Sequence, residues 1–131
     1  MIDMIDDVTE FTSKFNLPIS DVIAYPDTDR MNLIAEEYDE LLIAYARGDL
    51  PGVLDGLVDL TYVIIGSAVQ AKLPFEKAWI LVHQANMRKE RGERDPTSTS
   101  TDCHQRIIKP KGWIGPNHGI EELIRDAINK S

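Results

Sequence analysis

Residues 57–69 read LVDLTYVIIGSAV, and this stretch decides the fold. It lies in a predicted helix over residues 51–71 and is apolar on nearly every side, which is typical of a helix buried in a bundle. Asp59 lies inside the run, and Asp55 lies one turn earlier on the same stripe. A buried ionised carboxylate is costly unless it is paired or binds a metal ion. The stretch therefore predicts a helical core with a charged site inside it.

The sequence on both sides of this helix predicts four more helices and no strand. They cover residues 3–15, 30–46, 74–91 and 119–130. Helices joined by short connections predict an all-α helical bundle, followed by an irregular arm and an extra C-terminal helix. Because a bundle of this size leaves apolar faces uncovered, we expect a partner subunit to cover them.

The domain organisation is predicted to be a single domain over residues 1–131. Its parts are a helical core over 1–91, a loop and arm over 92–118, and a last helix over 119–130. Residues 92–105, GERDPTSTSTDCHQ, have low hydrophobicity and many small polar side chains, which predicts a mobile loop.

The charge balance excludes some classes of partner. The chain has 22 acidic and 14 basic residues and a formal net charge of −8, which disfavours binding to nucleic acid or to an anionic membrane. No apolar run is predicted to span a membrane, and no secretory leader is recognised. The single cysteine, Cys103, cannot form an internal disulfide, so a reducing cytoplasm is favoured.

The second helix carries three acids, Glu36, Glu37 and Glu40, within an arc of roughly 100°. Leu33 and Ala44 project into the same arc, so the acids share the apolar side of the helix. A solvated acidic face is the alternative, and for an isolated EExxE pattern it is the better interpretation.

The third helix favours a metal site over a solvated acidic face, because residues 53–71 contain no Lys or Arg to pair with its aspartates. Carboxylates on two neighbouring helices are hard oxygen ligands suited to Mg²⁺ or Mn²⁺. A structural salt bridge to another element remains the alternative. The predicted metal ligands are Glu36, Glu37, Glu40, Asp55 and Asp59.

Other residues are predicted to contact a polyanionic substrate. Tyr62 continues the stripe of Asp55 and Asp59, and Asn86 and Lys89 extend the inward stripe of the fourth helix. The alternative for Lys89 is a solvated cation at a helix C-terminus. In the arm, Lys109, Lys111 and Trp113 form either a lid over the substrate or a contact with a neighbouring subunit.

Three runs, taken in order, resemble the MazG-like nucleotide pyrophosphohydrolases, a superfamily that also includes dimeric dUTPases and phosphoribosyl-ATP pyrophosphohydrolases. The runs are LIAEEYDELLIAYARGD (33–49), DGLVDLTYVIIGSAV (55–69) and VHQANMRK (82–89), and KPKGW (109–113) extends the resemblance. The EExxE element is complete, and Asn86, Met87 and Lys89 meet the NMxK element. The ExxD element retains Asp59 but has Gly56 at the usual glutamate, and Asp55 resembles the DxxxD form of related members.

The resemblance implies a four-helix-bundle core in a homodimer or homotetramer whose carboxylates bind Mg²⁺ or Mn²⁺. It also implies hydrolysis of a nucleoside triphosphate to the monophosphate and pyrophosphate. Metal ions would offset the triphosphate charge and activate a water molecule. Glu37 would accept a proton from that water, with Glu40 beside it and Lys89 stabilising the leaving group. A phage-type member acting on (d)GTP in the host cytoplasm is the preferred interpretation, with dUTP or dCTP as alternatives.

Two other classes of protein fit the sequence less well. A carboxylate-bridged di-iron bundle would need Glu-x-x-His pairs on two helices, and the sequence contains none. A non-catalytic helical regulator that kept the fold would be favoured by loss of the carboxylates. Glu36, Glu37, Glu40 and Asp59 are all present, so an enzyme is preferred.

Overall fold

The computed structural model of the protein describes residues 2–92 and 107–130. Within these ranges the chain forms five helices: α1 (Met4–Lys14), α2 (Thr28–Ala46), α3 (Leu50–Gln70), α4 (Phe75–Met87) and α5 (Asn117–Asn129). The predicted all-α fold is confirmed. Apart from Gly92, the predicted loop over 92–105, with Cys103, lies outside the described residues.

Aspartates set the starts of the first three helices. Asp3, Asp27 and Asp49 are the N-caps of α1, α2 and α3. In each case the carboxylate accepts a hydrogen bond from the backbone N–H three residues later, at 2.8–3.0 Å. These bonds satisfy donors that have no partner inside the helix. The helix starts are therefore encoded locally in the sequence.

The prediction that no strand forms was wrong, and so was the extension of the fourth helix to Arg91. Helix α4 ends at Met87, where the next two backbone N–H groups bond three residues back and tighten the last turn. Strand β1 (Glu90–Arg91) then pairs antiparallel with β2 (Ile107–Ile108). The β-branched side chains of Ile107 and Ile108 suit an extended backbone, but two residues are too few to give an alternating pattern.

The chain divides into two compact units, which are described separately. Unit 1 comprises Met1–Phe75 and Ala127–Ser131, and unit 2 comprises Glu76–Asp126. In unit 1, α1 and α2 both pack against α3. The most buried apolar side chains there include Val8, Ile65 and Ala68. The predicted single domain over residues 1–131 stays a prediction.

Helix α3 is less buried in the single chain than its composition predicts. Leu54 is 63% exposed and Val58 is 54% exposed, so α3 is not buried on all sides within one chain. By length and composition alone α3 would also qualify as a membrane span, contrary to the sequence-based expectation. One such helix is weak evidence, because the core helix of a soluble protein has the same properties. An aspartate inside a membrane costs roughly 2.5–3.5 kcal/mol, and α3 carries two.

Candidate functional site

The candidate site forms where α2 and α3 approach most closely. Gly56 of α3 is buried, and a Cβ atom added there would lie 3.2 Å from both Cα and Cβ of Leu41. At position 56 any side chain would push against the backbone of α2 at Leu41, whereas glycine does not. The resemblance expects a glutamate at position 56, and the close helix contact accounts for its absence.

A cavity of about 220 Å³ lies beside this contact. Its walls include three of the predicted carboxylates, Glu40 from α2 and Asp55 and Asp59 from α3. Three of the five acids that the sequence grouped therefore line one cavity between these two helices. Glu36 is exposed and is not among the residues that line the cavity.

Glu37 is the carboxylate most affected by its surroundings. Its Oε2 atom is buried and has no hydrogen-bond partner among the described residues. Burial raises the pKa of the Glu37 carboxyl above its ordinary value of 4.5, and neighbouring negative charges raise it further. The carboxylates that act on it are, from the largest effect, Glu40, Asp59 and Asp55. An anion in this position is stabilised by a cation.

This donor set suits a divalent cation. All the converging groups are carboxylates, which Mg²⁺ and Mn²⁺ prefer, and the Oε2 atom of Glu37 has no hydrogen-bond partner among the described residues. Within residues 2–92 and 107–130, however, no three His, Cys, Asp or Glu side chains are grouped closely enough to hold a metal ion as they stand. The predicted set of five ligands stays a prediction.

The same cavity contains a cation that was not singled out from the sequence. Arg47, the C-cap of α2, lines it together with Glu40 and Asp55. In the described part of the chain, no ion pair within 4.0 Å joins Arg47 to these carboxylates. Arg47 follows Glu40 by seven residues, two helical turns, so the same periodicity that grouped the acids could have identified it.

The structure does not bring Tyr62 to the carboxylates. Its ring makes an edge contact with Phe11 of α1, with ring centroids 5.5 Å apart. Tyr62 lines a separate, largely apolar cavity of about 640 Å³ beside α1, together with Leu57 and Val58. Its predicted contact with substrate has no support from this geometry within one chain.

Unit 2 holds the predicted arm residues around one indole ring. Trp113 donates from Nε1 to the backbone carbonyl of Ala85 at 2.8 Å. The Nζ atoms of Lys89 and Lys109 lie 5.5 and 5.1 Å from the centroid of its ring. Trp113 is thus fixed to the end of α4 between two cations. Asn86 and Lys111 are exposed in the same unit, and the substrate-binding roles of all these residues stay predictions.

Comparison with known proteins identifies the class. The family model for phosphoribosyl-ATP pyrophosphohydrolase matches residues 8–86, a span that includes all five predicted metal ligands. The chain belongs to this family, which is part of the MazG-like all-α NTP pyrophosphatase superfamily. It is accordingly a pyrophosphohydrolase that acts on phosphoanhydride bonds. A search of curated proteins finds no match.

Proposed function

We propose that the protein hydrolyses a nucleoside triphosphate to the monophosphate and pyrophosphate in the presence of Mg²⁺ or Mn²⁺, with (d)GTP as the preferred substrate. The observation that carries this proposal is the group of carboxylates at the Gly56 contact, with a buried, unpartnered oxygen on Glu37. A family of pyrophosphohydrolases supplies the reaction class.

Residues of unit 1 would bind the metal ion, accept the proton and attract the phosphates. Glu40, Asp55 and Asp59 would hold the metal ion, which when bound offsets the triphosphate charge and lowers the pKa of a water molecule. Glu37 would take the proton from that water. A carboxyl whose pKa is raised holds a transferred proton better than an ordinary one, so its surroundings favour this role. Arg47 lines the same cavity and would attract phosphate oxygens.

A panel of nucleotides tests the proposal. Initial rates should be measured with every NTP and dNTP and with phosphoribosyl-ATP, in Mg²⁺ or Mn²⁺. We expect kcat/KM to be highest for dGTP or GTP and EDTA to abolish turnover. A higher kcat/KM for dUTP or dCTP would overturn the choice of base. Turnover of phosphoribosyl-ATP alone would overturn the choice of an unmodified nucleoside triphosphate as substrate, and turnover of nothing would favour a non-catalytic regulator.

We also propose a homodimer or homotetramer, because α3 leaves apolar side chains exposed in the single chain. Leu54, Leu57 and Val58 are 63%, 49% and 54% exposed, and the latter two line the apolar cavity beside α1. Burial of such a face stabilises an assembly by about 25 cal/mol per Å². We expect light scattering to return a multiple of the 14.8 kDa chain mass. A monomer at micromolar concentration would contradict this proposal.

A cytoplasmic location and the absence of nucleic-acid and membrane partners stay predictions from composition.

A further inference from the structure

A second cavity in unit 1 has the features of a binding site. It measures about 250 Å³ and lies among the connector from α1 to α2, the start of α2 and the end of α3. The side chains that matter for its chemistry are Tyr25, Asp27, Arg30, Ser67 and Gln70. None of these belongs to the predicted catalytic or metal-binding set.

Arg30 is a cation in this cavity, and neutral acceptors hold its guanidinium in place. Its Nε donates to Ser67 Oγ at 3.1 Å, and its Nη2 donates to the carbonyl oxygen of Val63 at 2.9 Å. A Cβ atom at Gly66 would come within 2.7 Å of Nη2, so this glycine makes room for the guanidinium. These bonds use two of the five guanidinium N–H donors.

The guanidinium of Arg30 has no carboxylate partner among the described residues. In residues 2–92 and 107–130 no carboxylate forms an ion pair with Arg30, although its side chain is half-buried. A partly buried charge bonded only to neutral groups is costly. The remaining N–H donors are therefore suited to an acceptor from a ligand.

Backbone hydrogen bonds join the connector from α1 to α2 to the end of α3, two of the elements that line the cavity. The N–H of Ser20 donates to the carbonyl of Gln70 at 2.8 Å, and the N–H of Ala24 donates to the carbonyl of Ala71 at 3.0 Å. Lys72 Nζ also donates to the carbonyl of Asp21 at 2.7 Å. The connector is thus attached to the end of α3, which preorganises the space between them.

Two further side chains of the cavity supply a hydrogen-bond acceptor and an aromatic ring. The Oδ1 atom of Asp27 accepts from the backbone N–H of Arg30 at 2.8 Å, which leaves the second carboxylate oxygen as an additional acceptor. The ring of Tyr25 is 96% exposed and lines the cavity. An aromatic surface, a guanidinium donor and a carboxylate acceptor therefore lie together.

The cavity and the carboxylate site are both formed by residues of α2 and α3. Arg30 precedes Glu37 by seven residues, so the two side chains leave α2 on the same side, about 10 Å apart along its axis. Ser67, which holds Arg30, follows Asp59 by eight residues on α3. An extended nucleoside triphosphate is longer than this separation, so one molecule can reach both places.

We propose that this cavity binds the base of the nucleotide and selects guanine. The acceptors O6 and N7 of guanine match the donors of Arg30, and its N1–H and N2 amino group match the carboxylate of Asp27. The Tyr25 ring offers a surface for stacking. Adenine presents an amino donor where Arg30 needs an acceptor, and it has no N1–H for Asp27. This inference rests on the proposed function for its role in catalysis.

The test uses equilibrium binding, which does not require turnover. Isothermal titration of the full-length protein in EDTA should give a dissociation constant for dGMP about tenfold or more below that for dAMP, the discrimination of one good polar pair. Asp27→Asn keeps a competent N-cap but replaces an acceptor with a donor. We expect this variant and Arg30→Met to lose the preference. Asp3→Asn, the same change at the N-cap of α1, is the matched control and should keep it.

Each outcome either supports or overturns the inference. No preference for dGMP in the wild type, tighter binding of dUMP, or an unchanged preference in Asp27→Asn overturns it. The proposed function is judged separately by the nucleotide panel. If dGTP is hydrolysed and Asp27→Asn leaves the dGMP preference unchanged, this inference fails and the hydrolase stands. If no nucleotide is hydrolysed but the binding pattern appears, the guanine site stands and the hydrolase fails.

Discussion

The Glu37→Gln variant is expected to lose about 10²- to 10⁴-fold in kcat, the usual contribution of a positioned general base. The same change should stabilise the metal-free protein at neutral pH. The Oε2 atom of Glu37 is buried and has no hydrogen-bond partner among the described residues, and the negative charges of Glu40, Asp59 and Asp55 act on its carboxyl. Glutamine has nearly the same shape but carries no charge, so it removes both the burial cost of the anion and the repulsion.

The gain in stability should depend on pH in a defined direction. Because the pKa of Glu37 is raised in the folded state, the folded chain binds a proton more tightly than the unfolded chain. Wild-type stability therefore falls as the pH rises from the unfolded value of 4.5 through the folded pKa. Above that range the variant should melt at a higher temperature than the wild type. Below pH 4.5 the difference should vanish.

Thermal unfolding in EDTA at several pH values measures this effect. Asp39→Asn is the matched control, since Asp39 lies on the same helix and is exposed. It should change neither the melting temperature nor its pH dependence appreciably. A Glu37→Gln variant that keeps full activity, or that is less stable than the wild type at neutral pH, would contradict the role given to Glu37.

Gly56→Glu, which restores the glutamate that the resemblance expects, should destabilise the protein by about 3 kcal/mol or more. The first atom of the new side chain would already meet the backbone of Leu41 at 3.2 Å. The rest of the side chain would place another carboxylate among those around Glu37. Since small domains have about 5–15 kcal/mol of total stability, the loss should be plain in chemical denaturation followed by circular dichroism.

Two further variants separate the causes of this loss. Gly56→Ala adds only the Cβ atom, and its gain in helix propensity of about 1 kcal/mol partly offsets the overpacking. Its loss should therefore be smaller than that of Gly56→Glu. Ala35→Glu adds the same side chain at an exposed position of α2 and should be nearly neutral. If Gly56→Glu were as stable as the wild type, the close approach of α2 and α3 would not explain the missing glutamate.

The helices, and the sides of α2 and α3 that carry the acids, could be predicted because both depend on local sequence. Periodicity placed α1 to α5, and aspartates before α1, α2 and α3 correspond to their N-caps. The same periodicity put Glu37 and Glu40 on the apolar side of α2. Because Asp59 had no basic partner on its own helix, a site between the two helices followed.

The features that could not be predicted depend on which helix or strand packs against each side of a given helix. Tyr62 and Asp59 are three residues apart, yet Phe11 of α1 contacts Tyr62 whereas Asp59 lines the cavity with Glu40 of α2. The strands β1 and β2 are too short to show a pattern and pair across fifteen intervening residues. The close contact between Gly56 and Leu41 could be recognised only from the distance between α3 and α2 in the structure. A single sequence gives the direction of a side chain but not the element that it meets.

The most direct test of the central claim is ³¹P NMR of the reaction mixture with dGTP and Mg²⁺. We predict equal amounts of dGMP and pyrophosphate, formed together from the start and stopped by EDTA, because hydrolysis releases the two terminal phosphates as one product. Release of orthophosphate with dGDP would mean that a different phosphoanhydride bond is cleaved, and it would contradict the assignment of the carboxylate site as a nucleotide pyrophosphohydrolase centre.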